Sequence, residues 1–272
     1  MAQLSINEMT TYRWSFEEDV INYRAADVRA MGVWRQKLND FGEDKGADLL
    51  AEHGMQVSNL LWAGGFTGSD GHSYRDSLRD AADAVRLAAH LKAACLVVYT
   101  GGRNGHTQNH ARRLFTSGMK ELLPLADELD VTLAVEPMHS SCADEWKFLT
   151  SLDAAAELLS SFDHPRLKLA FDTYQFGHES QICCKLKSIV DRIAIVHLGD
   201  SSTEPNHEQN RQFIGRGVLP LREIVAALGE AGYNGFYDVE LMGEDIEAAD
   251  YRDVVNSSKQ AVEELLAAAP VH

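Results

Sequence analysis

The chain has 272 residues, with 41 acidic and 25 basic side chains, a formal net charge of -16 and a pI near 5.0. An acidic surface of this kind repels phosphate backbones and anionic bilayers, so we expect neither nucleic acid nor a membrane as a partner. One sizeable core fits this length, and α/β barrels routinely fill about 250 residues as one domain, which favours a single domain over residues 1–272.

The chain shows no targeting or cross-linking signal. Its first stretch, MAQLSINEMTTYRWS, lacks the basic and apolar regions of a secretion signal, and no apolar run approaches the roughly 20 residues of a membrane span. The four cysteines, Cys95, Cys142, Cys183 and Cys184, have no CxxC spacing. We therefore expect a soluble cytoplasmic protein with reduced thiols.

Short β-branched or apolar runs alternate with longer segments of helical spacing, which is typical of βα units. The predicted strands are Thr10–Trp14, Ala30–Arg35, Met55–Trp62, Cys95–Thr100, Val131–Val135, Leu167–Phe171, Ile193–Val196 and Gly235–Val239. The predicted helices are Phe16–Ala26, Gly42–His53, Ser73–Ala93, Thr107–Leu129, Thr150–Phe162, Ile182–Asp191, Pro220–Ala231 and Ala249–Ala267. Eight such units predict an α/β fold, a single (β/α)8 TIM barrel, with a doubly wound open sheet as the alternative.

Two segments fall outside this repeating pattern. Residues Gly199–Leu219 form a connection of about 20 residues without a helical signal, far beyond the usual 2 to 6 residues of a βα loop, which indicates a functional role. The closing AAAPVH is expected to fray.

Polar residues with metal-binding side chains end four consecutive predicted strands. They are Glu136, Asp172, His197 and Glu240. An unpaired carboxylate in an apolar interior costs several kcal/mol, about 3 or more, so these groups need a partner. In a barrel the carboxyl ends of all strands meet at one mouth, and three carboxylates with one imidazole suit a divalent ion. For any one of the four, a satisfied hydrogen-bonding role is the alternative.

These residues carry a resemblance to a known family. The chain resembles the sugar phosphate isomerase/epimerase group of xylose isomerase-like barrels, which includes ketose 3-epimerases, inosose isomerases and dehydratases, and hydroxypyruvate isomerases. The similarity extends over almost the whole chain and is strongest in GGRNGH, TLAVEPMH, FDT, IVHLGDS, RQFIGRG and YNGFYDVEL. It implies a xylose isomerase-like barrel in which Glu136, Asp172, His197 and Glu240 bind one metal ion.

The same resemblance implies substrate contacts. Arg211, in the loop after strand seven, corresponds to a family arginine that contacts substrate oxygens, with Arg216 as the alternative. Two positions depart from the ketose 3-epimerase pattern, since Gln175 replaces a histidine and Cys142 replaces a glutamate. Both positions help to hold a sugar, so the substrate and the reaction subtype stay open at this point.

The ligand types allow one chemical scheme with several outcomes. A divalent ion, Mn²⁺ first and Mg²⁺, Co²⁺ or Zn²⁺ as alternatives, stabilises the enediolate formed when the C–H beside a carbonyl loses its proton. Glu136 and Glu240 are the candidate bases. Proton return on the opposite face gives epimerisation, return to the adjacent carbon gives isomerisation, and departure of a β-hydroxyl gives dehydration of the inosose or dehydroshikimate type.

Other residues are candidates for the wall of the substrate site. Trp14 and Trp62, the latter near Phe66, are expected either to face a sugar ring or to pack in the core, and these two roles are equally compatible with the sequence. His139 follows Glu136 by three residues and is expected to support the site by a hydrogen bond. Cys142 is expected to be a small buried side chain rather than a nucleophile.

Besides a sugar isomerase or epimerase of carbohydrate metabolism, two further functional classes are alternatives. Endonuclease IV shares the scaffold, but its additional zinc ligands have no counterpart at Gln175 or in the seventh loop, and the charge of -16 opposes binding to DNA. A non-catalytic sugar-binding barrel is the other alternative. The expected partner is a small sugar or keto-polyol, and a homo-oligomer, dimer or tetramer, is also allowed.

Overall fold

Eight parallel strands close into a barrel in the order in which they occur along the chain. Residues 2–143 and 147–268 are described by this computed structural model. The strands are β1 Gln3–Asn7, β2 Ala30–Trp34, β3 Gln56–Gly64, β4 Leu96–Tyr99, β5 Leu133–Val135, β6 Leu167–Asp172, β7 Ile193–Leu198 and β8 Phe236–Val239. The predicted (β/α)8 barrel is confirmed, and the doubly wound open sheet is wrong. The expected fraying of AAAPVH falls largely on residues 269–272, outside the described part.

Helices surround the barrel and connect its strands. They are α1 Phe16–Ala25, α2 Arg35–Phe41, α3 Glu43–Glu52, α4 Tyr74–His90, α5 Gln108–Glu128, α6 Ser140–Ala143, α7 Leu152–Ser160, α8 Thr173–Phe176, α9 Ile182–Ile189, α10 Leu221–Glu230, α11 Glu244–Ala248 and α12 Tyr251–Ala268, with a 3₁₀ turn at Val190–Arg192. The long helices match the predicted ones to within a few residues. The short α2, α6, α8 and α11 were not predicted, because helices of four to seven residues leave too little periodicity to detect.

The first strand was predicted in the wrong place. It runs over Gln3–Asn7 and pairs with both β2 and β8, whereas Thr10–Trp14 forms turns above the mouth. The buried polar residues of this turn are held by hydrogen bonds, since Thr10 Oγ1 donates to the carbonyl of Val239 at 2.9 Å. Thr10 and Thr11 are therefore buried because this turn packs over the end of the barrel and not because they belong to the sheet.

Helix starts follow local capping chemistry that is visible in the sequence. Ser15 caps α1 by accepting from the N–H of Glu18, whose carboxylate in turn accepts from the N–H of Ser15 at 2.8 Å. Side chains of Ser73, Thr107 and Ser151 accept N–H bonds at the starts of α4, α5 and α7. Each such cap contributes about 1 kcal/mol, and together they fix where the chain leaves the mouth loops.

Most of the apolar core lies between the barrel and its helices. A smaller cluster fills the barrel interior with Leu61, Cys95, Val97, Ala134, Ala170 and Ile195. At Gly64 the chain has a φ of +133°, and a Cβ there would lie 2.0 Å from the carbonyl oxygen of Tyr99, so glycine is required where β3 and β4 pass each other. The mouth opens above this interior cluster.

The long connection after β7 has the predicted character. Within the described chain no helix falls between the end of β7 at Leu198 and the start of α10 at Leu221. This loop returns to the mouth, where the backbone N–H of Arg211 donates to the carbonyl of Met242 at 2.8 Å. None of the described helices is both long and apolar enough to cross a bilayer.

Candidate active site

A cavity of about 350 Å³ opens at the carboxyl ends of the strands. Its wall combines polar groups with thioether and aromatic surface: Met9, Trp62, Tyr99, Glu136, Met138, Lys147, Asp172, Gln175, Gln209, Arg211, Glu240 and Met242. The position is the one where barrels of this type build their sites, because the eight βα loops converge there.

Three buried side chains with possible metal-ligand atoms, Glu136, His197 and Glu240, meet at the floor of this cavity. Glu136 follows β5 directly, His197 is the fifth residue of β7, and Glu240 follows β8 directly. His197 Nδ1 lies 2.9 Å from Glu136 Oε1 and 3.0 Å from Glu240 Oε2. One ligand atom from each of the three residues falls within 4.8 Å of the others. The strand register places them together although more than 100 residues separate Glu136 from Glu240.

The charges of this cluster shift one another's pKa. Burial raises the pKa of both glutamates, but Lys147 and His197 hold the pKa of Glu136 below its usual range, and Arg211 and His197 do the same for Glu240. Burial lowers the pKa of His197, but the two glutamates outweigh it and raise that pKa well above the usual value. Both carboxyl groups are therefore ionised at neutral pH.

Asp172, the last residue of β6, lies beside this triad and is engaged by an arginine. Its Oδ2 accepts from Arg211 Nη2 at 2.8 Å, and its Oδ1 accepts from the N–H of Tyr174 at 2.8 Å. Burial raises the pKa of Asp172 to about 6, although Arg211 acts in the opposite direction. Asp172 therefore also lines the floor of the cavity, but it pairs with Arg211 and is not one of the three residues whose ligand atoms converge.

Arg211 links two of these acids. Besides Asp172, it reaches Glu240, since Nη1 donates to the Glu240 carbonyl at 2.7 Å and lies 3.5 Å from its Oε2. The guanidinium also stands over the ring of Tyr174, 5.1 Å from its centroid. Arg216, the alternative, is exposed and stacks on Phe213. The structure thus brings Arg211, and not Arg216, to the cavity.

Lys147 is a second cation at the floor, and it was not predicted from the sequence. The side chain is 6% exposed, and its Nζ contacts Glu136 Oε2. Glu136 therefore shows one oxygen to His197 and the other to an ammonium group. No metal-binding or catalytic spacing in the sequence includes Lys147, so no pattern in the chain marked it.

The two departures from the epimerase pattern lie close to the mouth. Gln175 is buried and lines the cavity; its Oε1 accepts from the N–H of His139 at 2.9 Å and its Nε2 donates to Gln209 Oε1 at 3.1 Å. Cys142 is buried, with its Sγ 3.0 Å from the carbonyl of Asn206. Gln209 comes from the loop after β7, as does Arg211, and was likewise not singled out from the sequence.

The candidate aromatic residues separate into two groups. Trp62 lines the cavity, with its ring centroid 6.4 Å from that of Trp34. Trp14 packs edge-on against Tyr251 at 5.4 Å, and the described residues that line the cavity do not include it. Its expected place at the end of a strand was wrong, because Thr10–Trp14 is a turn. His139 also lies beside the cavity wall and touches it through Gln175.

The donor set fits a divalent cation. Two carboxylate oxygens converge on one imidazole nitrogen, which can carry only one proton and so cannot donate to both. Glu240 Oε2 is buried and has no hydrogen bond among the described residues. A buried carboxylate oxygen without a donor is costly, and a cation between the three groups would satisfy it. Carboxylate and imidazole ligands suit Mn²⁺, Mg²⁺, Co²⁺ or Zn²⁺.

The chain thus combines a closed parallel barrel with a candidate metal site, built from buried carboxylates and an imidazole at the carboxyl-terminal mouth. The chain belongs to the xylose isomerase-like TIM barrel family, whose sequence model matches residues 21–265. This confirms the resemblance inferred from the motifs.

Named relatives are similar to parts of the chain. L-ribulose-5-phosphate 3-epimerase UlaE of Escherichia coli O1:K1 is 29% identical over 140 residues, which cover 51% of this chain and 46% of that protein. The match thus spans about half the length of that relative. D-psicose 3-epimerase of Enterocloster bolteae is 29% identical over 232 residues, or 80% of this chain and 70% of that protein.

Solved structures share the whole fold. Protein SMc04130 from Sinorhizobium meliloti 1021 has a TM-score of 0.90 at 24% identity and covers 97% of this chain and 98% of its own. The IolI protein with a bound zinc atom has a TM-score of 0.84 at 17% identity, with 97% and 98% covered. These likenesses establish the barrel architecture from end to end.

Proposed function

We propose that the chain is a divalent-metal-dependent isomerase or epimerase of a ketose, keto-inositol or related small sugar. The observation that carries this proposal is the convergence of Glu136, His197 and Glu240 at the floor of a mouth cavity. The names of the two relatives, both 3-epimerases, support the reaction class. The bound zinc of the IolI structure supports a metal on this scaffold.

The metal would be held by Glu136, His197 and Glu240, with Asp172 as the fourth ligand. When bound, the ion supplies Lewis acidity that polarises a substrate carbonyl and eases loss of the neighbouring C–H proton. Mn²⁺ is our first choice because the ligands are mostly oxygen, and Mg²⁺, Co²⁺ and Zn²⁺ suit the same set.

Glu240 is the leading candidate for the base. A carboxylate can bind a metal through one oxygen and accept a proton with the other, so Oε2, which is buried and has no hydrogen bond among the described residues, would face the ion and leave Oε1 to accept the proton from the carbon beside the carbonyl. Glu136 is the candidate on the other side, with Oε2 in contact with Lys147. Return of the proton by the second group gives an epimer, and return to the adjacent carbon gives an isomer.

The substrate would be held by Arg211, Gln175 and Trp62. Arg211 and Gln175 offer donors at the cavity wall, and Trp62 offers an aromatic face for a sugar ring. His139 supports this arrangement by its N–H bond to Gln175. Trp14 is not among the described residues that line the cavity, since it packs against Tyr251.

Solvent-deuterium exchange tests the proposal before a product is known. Ketoses, keto-inositols and their phosphates are incubated in D₂O with Mn²⁺, with and without chelator. We expect chelator-sensitive exchange in wild type and a loss of about 100-fold or more in Glu240→Gln, since general bases contribute about that much. Glu52→Gln, an exposed helix residue, is the control.

Two results would count against this function. Exchange that persists in Glu240→Gln, or that ignores the chelator, would show that the proposed base or metal is not used. Sugar binding without exchange by any ketose would instead identify a non-catalytic sugar-binding barrel.

A dehydratase on the same scaffold is the second candidate, and Lys147 is the observation that favours it. An ammonium group in contact with Glu136 could donate a proton to a departing β-hydroxyl, while Glu240 takes the proton from carbon. The C–O bond then breaks, a C=C bond forms and water leaves. Mass spectrometry of the same reactions separates the two candidates, because only dehydration removes a water from the substrate.

Three other expectations stay predictions. A single domain over 1–272 predicts one cooperative unfolding transition, and a dimer or tetramer is checked by light scattering. The cytoplasmic location is checked by cell fractionation.

A further inference from the structure

We propose that Asp238 is a positioning residue that fixes the orientation and tautomer of His197. The inference rests on the proposed function, because it concerns the same metal-type site. Asp238 is the third residue of β8 and is directly paired with His197 of β7 in the sheet register. Both side chains are fully buried, and Asp238 Oδ2 lies 3.9 Å from His197 Nε2.

The imidazole faces two different surroundings. Its Nδ1 faces the carboxylates of Glu136 and Glu240 at the cavity floor. Its Nε2 points into the barrel and has no hydrogen bond among the described residues, so the carboxylate of Asp238 is the charge that faces it. An imidazole binds a metal through the nitrogen that lacks the proton, and the group facing the other nitrogen selects the tautomer.

Asp238 is itself held by amides from two other strands. Its Oδ2 accepts from Asn7 Nδ2 at 2.7 Å and from Asn59 Nδ2 at 2.8 Å, and Ser58 Oγ lies 3.4 Å from Oδ1. These donors come from β1 and β3, which places the carboxylate at the centre of a polar layer. Barrel interiors are mostly filled with branched apolar side chains, so a buried polar layer of this kind indicates a functional role.

Gly32 on β2 makes room for this layer. A Cβ at that position would lie 2.6 Å from Asp238 Oδ2, 2.7 Å from Asn7 Nδ2 and 2.9 Å from Asn59 Nδ2. The φ of Gly32 is not in the left-handed region, so glycine is needed here for space and not for backbone conformation. Donors on β1 and β3 and the space left by glycine on β2 thus accommodate the carboxylate of β8 that faces His197.

The distance defines how Asp238 acts. At 3.9 Å it is too far for a direct hydrogen bond, so it acts through its charge, which favours a proton on Nε2. The two glutamates favour a proton on Nδ1, which a bound cation would displace, so in the loaded site Nε2 keeps its proton and Nδ1 is the ligating nitrogen between Glu136 and Glu240. Asp238 thus prepares His197 to ligate through Nδ1 without touching the substrate or the ion.

Metal affinity and tautomer are measured on the full chain with Zn²⁺ as the probe. Calorimetry at fixed pH compares wild type, Asp238→Asn and Cys95→Ala, the last being a control that also changes a residue of the barrel interior. We expect Asp238→Asn to lose about tenfold or more in Zn²⁺ affinity, the usual effect of removing a group that orients a ligating histidine. Cys95→Ala should bind as wild type does.

The tautomer is read in Zn²⁺-loaded wild type by long-range ¹H–¹⁵N NMR, with His197 assigned by the signals that disappear in His197→Gln. We expect the proton on Nε2; a proton on Nδ1 overturns the inference even if Asp238→Asn fails to fold. Equal affinities of Asp238→Asn and wild type would also overturn it, while leaving the proposed function intact. Wild type that binds no Zn²⁺ or Mn²⁺ would overturn both.

Discussion

At the scale of single residues, the pair formed by Lys147 and Glu136 sets the charge of the site. The ammonium occupies one oxygen of a carboxylate whose other oxygen faces His197, and both side chains are buried. Removal of one partner from a buried ion pair costs about 3 kcal/mol or more, because the remaining charge has no compensation. A bound cation would supply that compensation, so the ammonium and the metal compete for Glu136.

Lys147→Met is therefore expected to bind a metal more tightly while being less stable without it. We expect Mn²⁺ affinity to rise about tenfold, or roughly 1.4 kcal/mol, and the metal-free melting temperature to fall. Lys120→Met, at an exposed position on α5, is the matched control. Weaker Mn²⁺ binding by Lys147→Met in calorimetry would show instead that the ammonium orients Glu136 for the ion.

A second buried charge cluster ties α1 and α2 to the end of β1. Lys37 Nζ donates to Asp19 Oδ2 at 2.7 Å and to the Thr11 carbonyl at 2.9 Å. Burial raises the pKa of Asp19 to about 6, and burial together with the charge of Asp19 raises the pKa of Glu8. Two carboxyl groups thus face a single ammonium, and the pKa of each is raised.

This cluster predicts a pH dependence of stability. A carboxyl group whose pKa is higher in the folded chain stabilises the fold at low pH and loses that contribution as the pH rises through the folded value. Between about pH 5 and pH 8 the free energy of unfolding should fall by roughly 1 kcal/mol more in wild type than in Glu8→Gln. Urea unfolding at both pH values measures it, with Glu17→Gln as an exposed control; parallel curves for wild type and Glu8→Gln would disprove it.

At the scale of elements, the loop after β7 depends on one aspartate. Asp200 is buried, and its Oδ1 accepts N–H bonds from Ser201 at 2.8 Å and Leu219 at 3.2 Å. Its Oδ2 accepts from Gly215 at 2.9 Å and Gly217 at 3.0 Å. A loop of this length has no ladder or helix of its own, so these four bonds give it one shape and bring Arg211 to the cavity.

Asp200→Ala should lower both stability and turnover. Loss of charge-assisted bonds to four backbone donors is expected to cost about 2 to 4 kcal/mol in the free energy of unfolding. Because Arg211 is then no longer held beside Asp172, we expect kcat/KM to fall at least about tenfold. Asp200→Asn keeps one acceptor oxygen, so its free energy of unfolding and its kcat/KM should lie between those of wild type and Asp200→Ala, as measured by denaturant titration and steady-state kinetics. An Asp200→Ala variant as stable as wild type would contradict the role.

The sequence could predict those elements whose buried faces follow a simple period. Strands β2 to β8 consist mostly of apolar residues, so their runs stand out, and Glu136 and Glu240 are visible because they interrupt such runs. β1 was missed because three of its five residues, Gln3, Ser5 and Asn7, are polar, and Ser5 and Asn7 belong to the layer around Asp238. Its buried character comes from hydrogen bonds that exist only once the barrel has closed.

The site was predictable at strand ends and not beyond them. Asp238 had a readable signal, since it shares the inward face of β8 with Glu240 by the two-residue period of a strand. Lys147, Gln209 and Asp200 had none, because no strand end or motif spacing marks them, and contacts such as the one between Gln209 and Gln175, 34 residues away, form only in the folded chain. Such contacts follow from tertiary closure, which local patterning does not record.

At the scale of the whole molecule, loops from different sides of the barrel supply an apolar wall to the cavity. Met9, Met138 and Met242 follow β1, β5 and β8, and Trp62 comes from β3. A substrate hydroxyl placed against this surface would lose its water without gaining a partner, at a cost of about 1 to 3 kcal/mol. Arg211 and Gln175 supply donors to the same cavity, so the substrate is expected to direct its hydroxyls to these polar groups and not to the methionines.

We therefore expect a ketohexose that lacks its terminal hydroxyl to be a better substrate than its hydroxylated parent, by about tenfold in kcat/KM, which corresponds to roughly 1.4 kcal/mol. Met242→Gln adds donors and an acceptor to the wall and should reduce this preference, because the parent's hydroxyl then gains a partner. Met242→Leu keeps the wall apolar and should retain the preference. Steady-state kinetics on the matched pair of sugars measures all three proteins, and a wild type that favours the fully hydroxylated sugar would show that the methionines do not face the substrate.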